Sequence, residues 1–135
     1  MKMAPDSEVL PLRTSEDVVV ARQQVRARAV EQGFSLIDQT KLVTAASELA
    51  RNALQYGGGG TMLIEVLNDN RRRGLRLTFE DHGPGIADLT LAMKDGYTSG
   101  GGLGLGLGGA KRLVNDFAIE SKVGVGTKVM IARWR

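Results

Sequence analysis

The run Thr61-Met62-Leu63-Ile64-Glu65-Val66-Leu67, Asn68-Asp69-Asn70-Arg71-Arg72-Arg73-Gly74, Leu75-Arg76-Leu77-Thr78-Phe79-Glu80 decides the fold class. Two short apolar segments flank a polar stretch that ends in glycine, the pattern of a β-hairpin. Toward the C-terminus, Phe117–Val123 and Thr127–Arg133 flank Gly124-Val125-Gly126 and read as a second hairpin. Toward the N-terminus, Thr14-Ser15-Glu16-Asp17 reads as an N-cap with an acid three residues on. Val18, Ala21, Val25 and Ala29 then recur at helical spacing as far as Gly33. A second helix, capped by Asp38, carries Leu42, Ala45, Leu49 and Ala53 and stops at Gly57-Gly58-Gly59-Gly60. A short amphipathic helix is expected over Ala110–Asp116. Helices that precede and separate antiparallel pairs, without strict alternation with strands, predict an α+β fold. Its form is a two-layer sandwich: one mixed, mostly antiparallel sheet with helices packed on one face. Val18, Leu42, Leu49, Leu113 and Val129 are assigned to the core. Residues 1–13 read as a short N-terminal lead or edge strand, and 14–135 as the domain proper.

At 135 residues and 42% hydrophobic, the chain suits one domain with a core of its own. It has no cysteine, which excludes disulfides and thiolate metal sites and fits a reducing compartment, so the expected location is cytoplasmic. The first residues lack the apolar run of an export signal, and no stretch approaches the roughly 18 apolar residues of a membrane span. No membrane partner is expected. The net charge is +3, and Arg71-Arg72-Arg73 is the only dense basic run. Elsewhere bases are interleaved with acids, and only 4% of residues are aromatic, which leaves few base-stacking platforms. The arginine run is therefore read as a solvated loop, with RNA binding through Arg71–Arg73 as the weakest of three functional readings and no nucleic-acid partner expected.

Glycine is concentrated in Ser99-Gly100-Gly101-Gly102-Leu103-Gly104-Leu105-Gly106-Leu107-Gly108-Gly109-Ala110-Lys111-Arg112-Leu113. Glycines let backbone N–H groups approach a ligand, and a helix start after them would face phosphate oxygens. Glu48 and Asn52 lie four apart on the second helix and so share a face at the edge of the apolar stripe. A carboxylate and an amide oxygen so placed suit orientation of a hydroxyl and completion of a Mg²⁺ shell carried by phosphates. Asp81 follows an apolar strand and precedes Gly83-Pro84-Gly85, which presents an acceptor for an exocyclic amine such as that of adenine. The single histidine, His82, reads as a turn residue. Gly104-x-Gly106-x-x-Gly109 matches the dinucleotide fingerprint formally, but Gly96–Gly100 does not read as a strand and no βαβ unit surrounds it. There is no Gly-Lys-Ser or Gly-Lys-Thr of a P-loop and no eukaryotic-type kinase motif set.

Taken in order, Glu48-x-x-x-Asn52, Asp81-x-Gly83-x-Gly85, Gly102-x-Gly104-x-Gly106-x-Gly108 and Gly126-Thr127 resemble the four nucleotide motifs of the GHKL ATPase superfamily. Within it the chain looks like the bacterial anti-sigma-factor serine kinases, and among these the switch kinases of stressosomes. The resemblance runs from about Ser15 to Arg135. It implies ATP and Mg²⁺ as cofactors, with Asn52 on the metal and Glu48 as base or orienter of the attacking hydroxyl. It also implies Asp81 on the adenine amine and Thr127 supporting the adenine end. Gly83, Gly85, Gly102, Gly104, Gly106 and Gly108 would approach the nucleotide; Lys111, at the start of the last helix, reads either as a phosphate contact or as a surface cation. The activity implied is Mg·ATP-dependent serine/threonine phosphorylation of STAS-domain partners, after which the released kinase activates an effector such as a PP2C-type phosphatase. The alternative is a nucleotide-gated anti-sigma or partner-switching module with little turnover.

Overall fold

A computed structural model of the protein describes residues 6–94, 98–99, 103–104 and 106–135. The elements run β1 (Ser7–Leu12), α1 (Ser15–Glu31), α2 (Leu36–Gln55), β2 (Gly60–Asp69), β3 (Arg72–Asp81), α3 (Leu89–Ala92), β4 (Thr98–Ser99), β5 (Leu103–Gly104), α4 (Leu107–Arg112), β6 (Asp116–Lys122) and β7 (Gly126–Trp134). Five strands form one sheet in the order β1-β2-β3-β7-β6, with every neighbouring pair antiparallel. The α+β reading holds, and this sheet is wholly antiparallel.

Local chemistry explains most element boundaries. Thr14 caps α1 through a reciprocal pair: Asp17 N–H donates to Thr14 Oγ1, and Thr14 N–H donates to Asp17 Oδ2, each at 3.1 Å. For α2 the cap is Ser35, whose Oγ accepts from Asp38 N–H at 3.1 Å, and not Asp38 as the sequence suggested. Asp38 is committed elsewhere, to Arg133 at 2.6 Å. The first hairpin is tighter than expected: only Asn70 and Arg71 separate β2 from β3, with Asn70 at φ 36°. Arg72 and Arg73 thus belong to β3 and not to a loop, and the Arg72 guanidinium lies 4.2 Å from the centre of the Trp134 ring. The expected helix at 110–116 starts earlier, at Leu107, and ends at Arg112, because Gly106 takes the left-handed conformation that opens it. Thr98–Ser99 pairs with Leu103–Gly104 as a two-residue ladder, which corrects the reading of 96–100 as free of strand without creating a βαβ unit.

The core lies between the sheet and the two long helices. Met62 and Ile64 of β2, Leu75, Leu77 and Phe79 of β3, and Val129 and Ile131 of β7 alternate toward Ala21, Val25, Leu42 and Leu49, all buried. Full burial of one such Leu or Ile contributes roughly 1.5–3 kcal/mol relative to exposure. Ala45, Ala46, Ala50 and Ala53 bring α2 close to its neighbours. Leu113, expected in the core, is half-buried against it. The opposite sheet face carries polar pairs: Arg76 donates to both carboxylate oxygens of Glu65, at 2.9 and 3.1 Å, which holds the Glu65 carboxyl below its usual range. No helix among the described residues is long and apolar enough to cross a membrane.

Candidate functional site

Register brings the candidate residues together. The last residue of β3, Asp81, pairs with Thr127 near the start of β7, and α2 packs over that end of the sheet with Asn52 facing it. Asn52, Asp81 and Thr127 line one recess, whose apolar walls include Phe79, Ile86 and Leu107. Its enclosed space is about 20 Å³, near the minimum for a single water. Asp81 and Thr127 also border a wider, open hollow of about 530 Å³ with His82, Ser121 and Lys122, and Ile86 and Leu107 come from segments outside the sheet and the two long helices.

Asp81 is 8% exposed, and this burial raises its carboxyl above the ordinary value. Backbone N–H donation from Gly83 and Thr127 acts in the opposite direction, the Gly83 bond measuring 2.9 Å. Close approach at this point demands a glycine at 57, because a Cβ there would run into the Asp81 carboxyl group. Gly83 in turn lies against Gly57, so that any Cβ on it would fall 2.6 Å from the Gly57 Cα. The Gly85 carbonyl accepts from the Tyr56 hydroxyl at 3.1 Å, which fixes the turn after β3 to the end of α2.

Glu48 lies one turn before Asn52, about 6 Å along the helix, at the Gly106 side of the recess. Its carboxylate is 3.6 Å from the Arg51 guanidinium, and Gly106 sits directly over it. Gly108 is buried in the first turn of α4, and Gly104 lies in β5. Gly102 falls outside the described residues. Lys111 is exposed in the last turn of α4 and not, as the sequence suggested, at the helix start, because α4 begins at Leu107.

Sequence reasoning missed four participants. Arg51 was legible, since it stands three residues from Glu48 on one helix face. Tyr56, Gly57 and Ser121 act through contacts between elements, which no local pattern announces. Ser121 Oγ accepts from Ile86 N–H at 2.7 Å and lies 2.7 Å from Thr127 Oγ1.

The donor set suits a divalent cation that arrives with phosphate ligands. Mg²⁺ takes oxygen ligands, keeps several waters and commonly uses only one or two protein groups beside substrate phosphates. Asn52, a residue type with one amide oxygen suited to such a ligand, lines the recess, and the described residues contain no cluster of three or more acids or histidines that would hold a resident ion.

Residues 37–134 match the family described as histidine kinase-, DNA gyrase B-, and HSP90-like ATPase. The chain is 43% identical over 129 residues to the serine/threonine-protein kinase RsbT of Bacillus subtilis (strain 168), covering 96% of this chain and 97% of that one. It is 27% identical over 123 residues to an anti-sigma F factor of Clostridium kluyveri, covering 88% and 87% respectively. Among solved structures, it resembles the RsbU and RsbW domains of Rv1364c from Mycobacterium tuberculosis, with a TM-score of 0.65 at 22% identity. That match covers 98% of this chain and spans 33% of the longer one, and it speaks to the fold.

Proposed function

The chain belongs to the histidine kinase-, DNA gyrase B- and HSP90-like ATPase family, and on that premise we propose that it is an ATP-dependent protein serine/threonine kinase acting on STAS-domain partners. The observation that carries the reading is the convergence of Asn52, Asp81 and Thr127 on one recess, with Glu48 one helical turn away. Asp81, as a carboxylate, accepts from the exocyclic amine of adenine, and Thr127 bonds the adjoining ring edge. Gly83 and Gly85 shape the turn at that end. The glycines at 102, 104, 106 and 108 approach the phosphates, with Lys111 as an outlying cation.

Asn52 is the residue that would hold Mg²⁺, whose charge lowers the repulsion among phosphate oxygens. The partner's serine or threonine oxygen bonds to the γ-phosphorus of ATP while the bond to the β-phosphate oxygen breaks, leaving ADP. The hydroxyl proton passes to the Glu48 carboxylate. Little covalent work falls to the protein, whose share is positioning and electrostatic stabilisation. A phosphate added at a packed interface disfavours redocking of the partner. The released kinase then binds an effector, of which a PP2C-type phosphatase is the leading class.

A second reading, a nucleotide-gated partner-switching module with little turnover, draws on the Glu48–Arg51 contact, which engages the proposed base. One experiment separates the two. The protein is incubated with Mg·ATP and a STAS-domain protein from the same genome, beside an Asn52→Ala control, and the partner is followed by intact-mass spectrometry. A phosphate gained only with wild type supports the kinase. A stable complex without phosphate supports the gated module.

A further inference from the structure

We propose that Ser121 is a positioning residue for base selection: it directs the Thr127 hydroxyl proton into the recess, so that the site selects a purine bearing a ring-nitrogen acceptor beside an exocyclic amine. The inference rests on the nucleotide reading above and assigns a function to a residue outside the four motifs.

Ser121 on β6 stands opposite Thr127 on β7. Its Oγ accepts from Ile86 N–H at 2.7 Å and meets Thr127 Oγ1 at 2.7 Å, while the Gly126 carbonyl oxygen is 3.3 Å away. A serine hydroxyl has one proton to give. An O–H···O bond is strong between about 2.5 and 3.0 Å and weak beyond. Either hydroxyl of the 2.7 Å pair can be the donor; we place the Ser121 proton on Thr127, because its other acceptor, the Gly126 carbonyl, lies at 3.3 Å. Thr127 Oγ1, already accepting, keeps its own proton for the recess it lines. Each bond in this chain from Ile86 N–H through Ser121 to Thr127 polarises the next.

The result is an ordered pair of groups, a donor at Thr127 beside an acceptor at ionised Asp81. Adenine presents the complement, with N1 accepting and the 6-amino group donating. Hypoxanthine presents the reverse, N1–H donating and O6 accepting. To receive the hypoxanthine N1–H, Thr127 must turn its proton onto Ser121, and Ser121 must then fall back on the distant Gly126 carbonyl. Asp81 rejects O6 independently, so Ser121 supplies a second and separable part of the discrimination.

The test is calorimetric titration of Mg·ATP and Mg·ITP into wild type, Ser121→Ala and Ser121→Cys. With alanine the Thr127 hydroxyl loses its orienting donor, and the ratio of ATP to ITP affinity falls about tenfold, the equivalent of one misdirected hydrogen bond at about 1.4 kcal/mol. Cysteine keeps the volume and a weak S–H donor, and gives a smaller shift in the same direction if the alanine variant is unstable. Both affinities come from one preparation, so an inactive fraction cancels in the ratio. Equal weakening of both nucleotides, with the ratio unchanged, overturns the proposal and leaves Ser121 as a structural tether for Ile86. Wild type that binds neither nucleotide overturns the ATP reading itself, and this inference with it.

Discussion

Gly106 lies against the carboxylate of Glu48: a Cβ at this position would come within 2.5 Å of both Glu48 Cγ and Cδ. The glycine also holds φ 55°, a left-handed conformation that costs other residues roughly 1–2 kcal/mol. One backbone atom of the glycine-rich segment thus fixes how closely α4 approaches the proposed base. Gly106→Ala is expected to lower the melting temperature by a few degrees and to reduce phosphoryl transfer at least tenfold. Thermal melts beside single-turnover transfer check this. Transfer that falls no further than the folded fraction would contradict a part for this contact in catalysis.

Glu48→Gln keeps the size of the side chain and removes its basicity. General-base contributions run to about 10²–10⁴-fold, so partner phosphorylation is expected to drop by at least 100-fold while ATP affinity stays within a few-fold. Transfer at the wild-type rate would show that Glu48 is not the base.

Asp81→Asn separates stability from binding. Burial raises the folded carboxyl above its ordinary value, so the protonated form is favoured by the fold. Stability from this group is fully present below the unfolded value and is lost as pH rises through the folded one. At neutral pH the charged group is a liability to the fold, so the asparagine variant is expected to melt at or above the wild-type temperature. Its ATP affinity falls at least tenfold, because a neutral amide oxygen accepts from the amine more weakly than a carboxylate and the amide NH2 replaces the second acceptor. In wild type, ATP affinity should weaken on acidification at a pH above the ordinary aspartate value of 3.8. Calorimetry across pH 4–7 reads both effects.

Arg133→Ala cuts the tie between α4 and α2. Arg133 donates to the Leu113 carbonyl at 2.9 Å and to Asp38 at 2.6 Å, with its side chain 14% exposed. Removal is expected to cost about 2 kcal/mol, the range for hydrogen bonds to partly buried charge. The hydrogen bond from Arg133 also holds the Asp38 carboxyl below its ordinary value. That contribution is present above the unfolded value and is lost as pH falls through the lowered folded one. Acid titration of stability should therefore show an Asp38-linked loss below about pH 4 in wild type that is smaller in the variant, where Ser35 and Lys41 still favour the carboxylate.

Caps, turns and alternation made the architecture legible. The Thr14-Asp17 pair marked the start of α1, and two glycine-bounded apolar pairs marked both hairpins. The i, i+4 spacing placed Glu48 and Asn52 on one helix face. The start of α2 was misjudged because Ser35 and Asp38 are both competent caps. Ser35 supplies the cap, while the Asp38 carboxylate accepts from Arg133, 95 residues away. The start of α4 was misjudged because Ala110 looked like the first helix former, whereas the left-handed Gly106 opens the helix earlier.

The sequence by itself determined what rests on neighbours within a few residues: the helices, the hairpins, the α+β class and the order and spacing of the motif residues. Only the tertiary structure decided that Asp81 meets Thr127 across a strand pair, that Gly57 and Gly83 close on Asp81, that Gly106 rests on Glu48, and that Ser121 bridges Ile86 and Thr127. The physical reason is range. Dihedral preferences and side-chain periodicity act over one or two turns, whereas these contacts join groups brought together by strand register and helix packing, which are set by burial of the whole core.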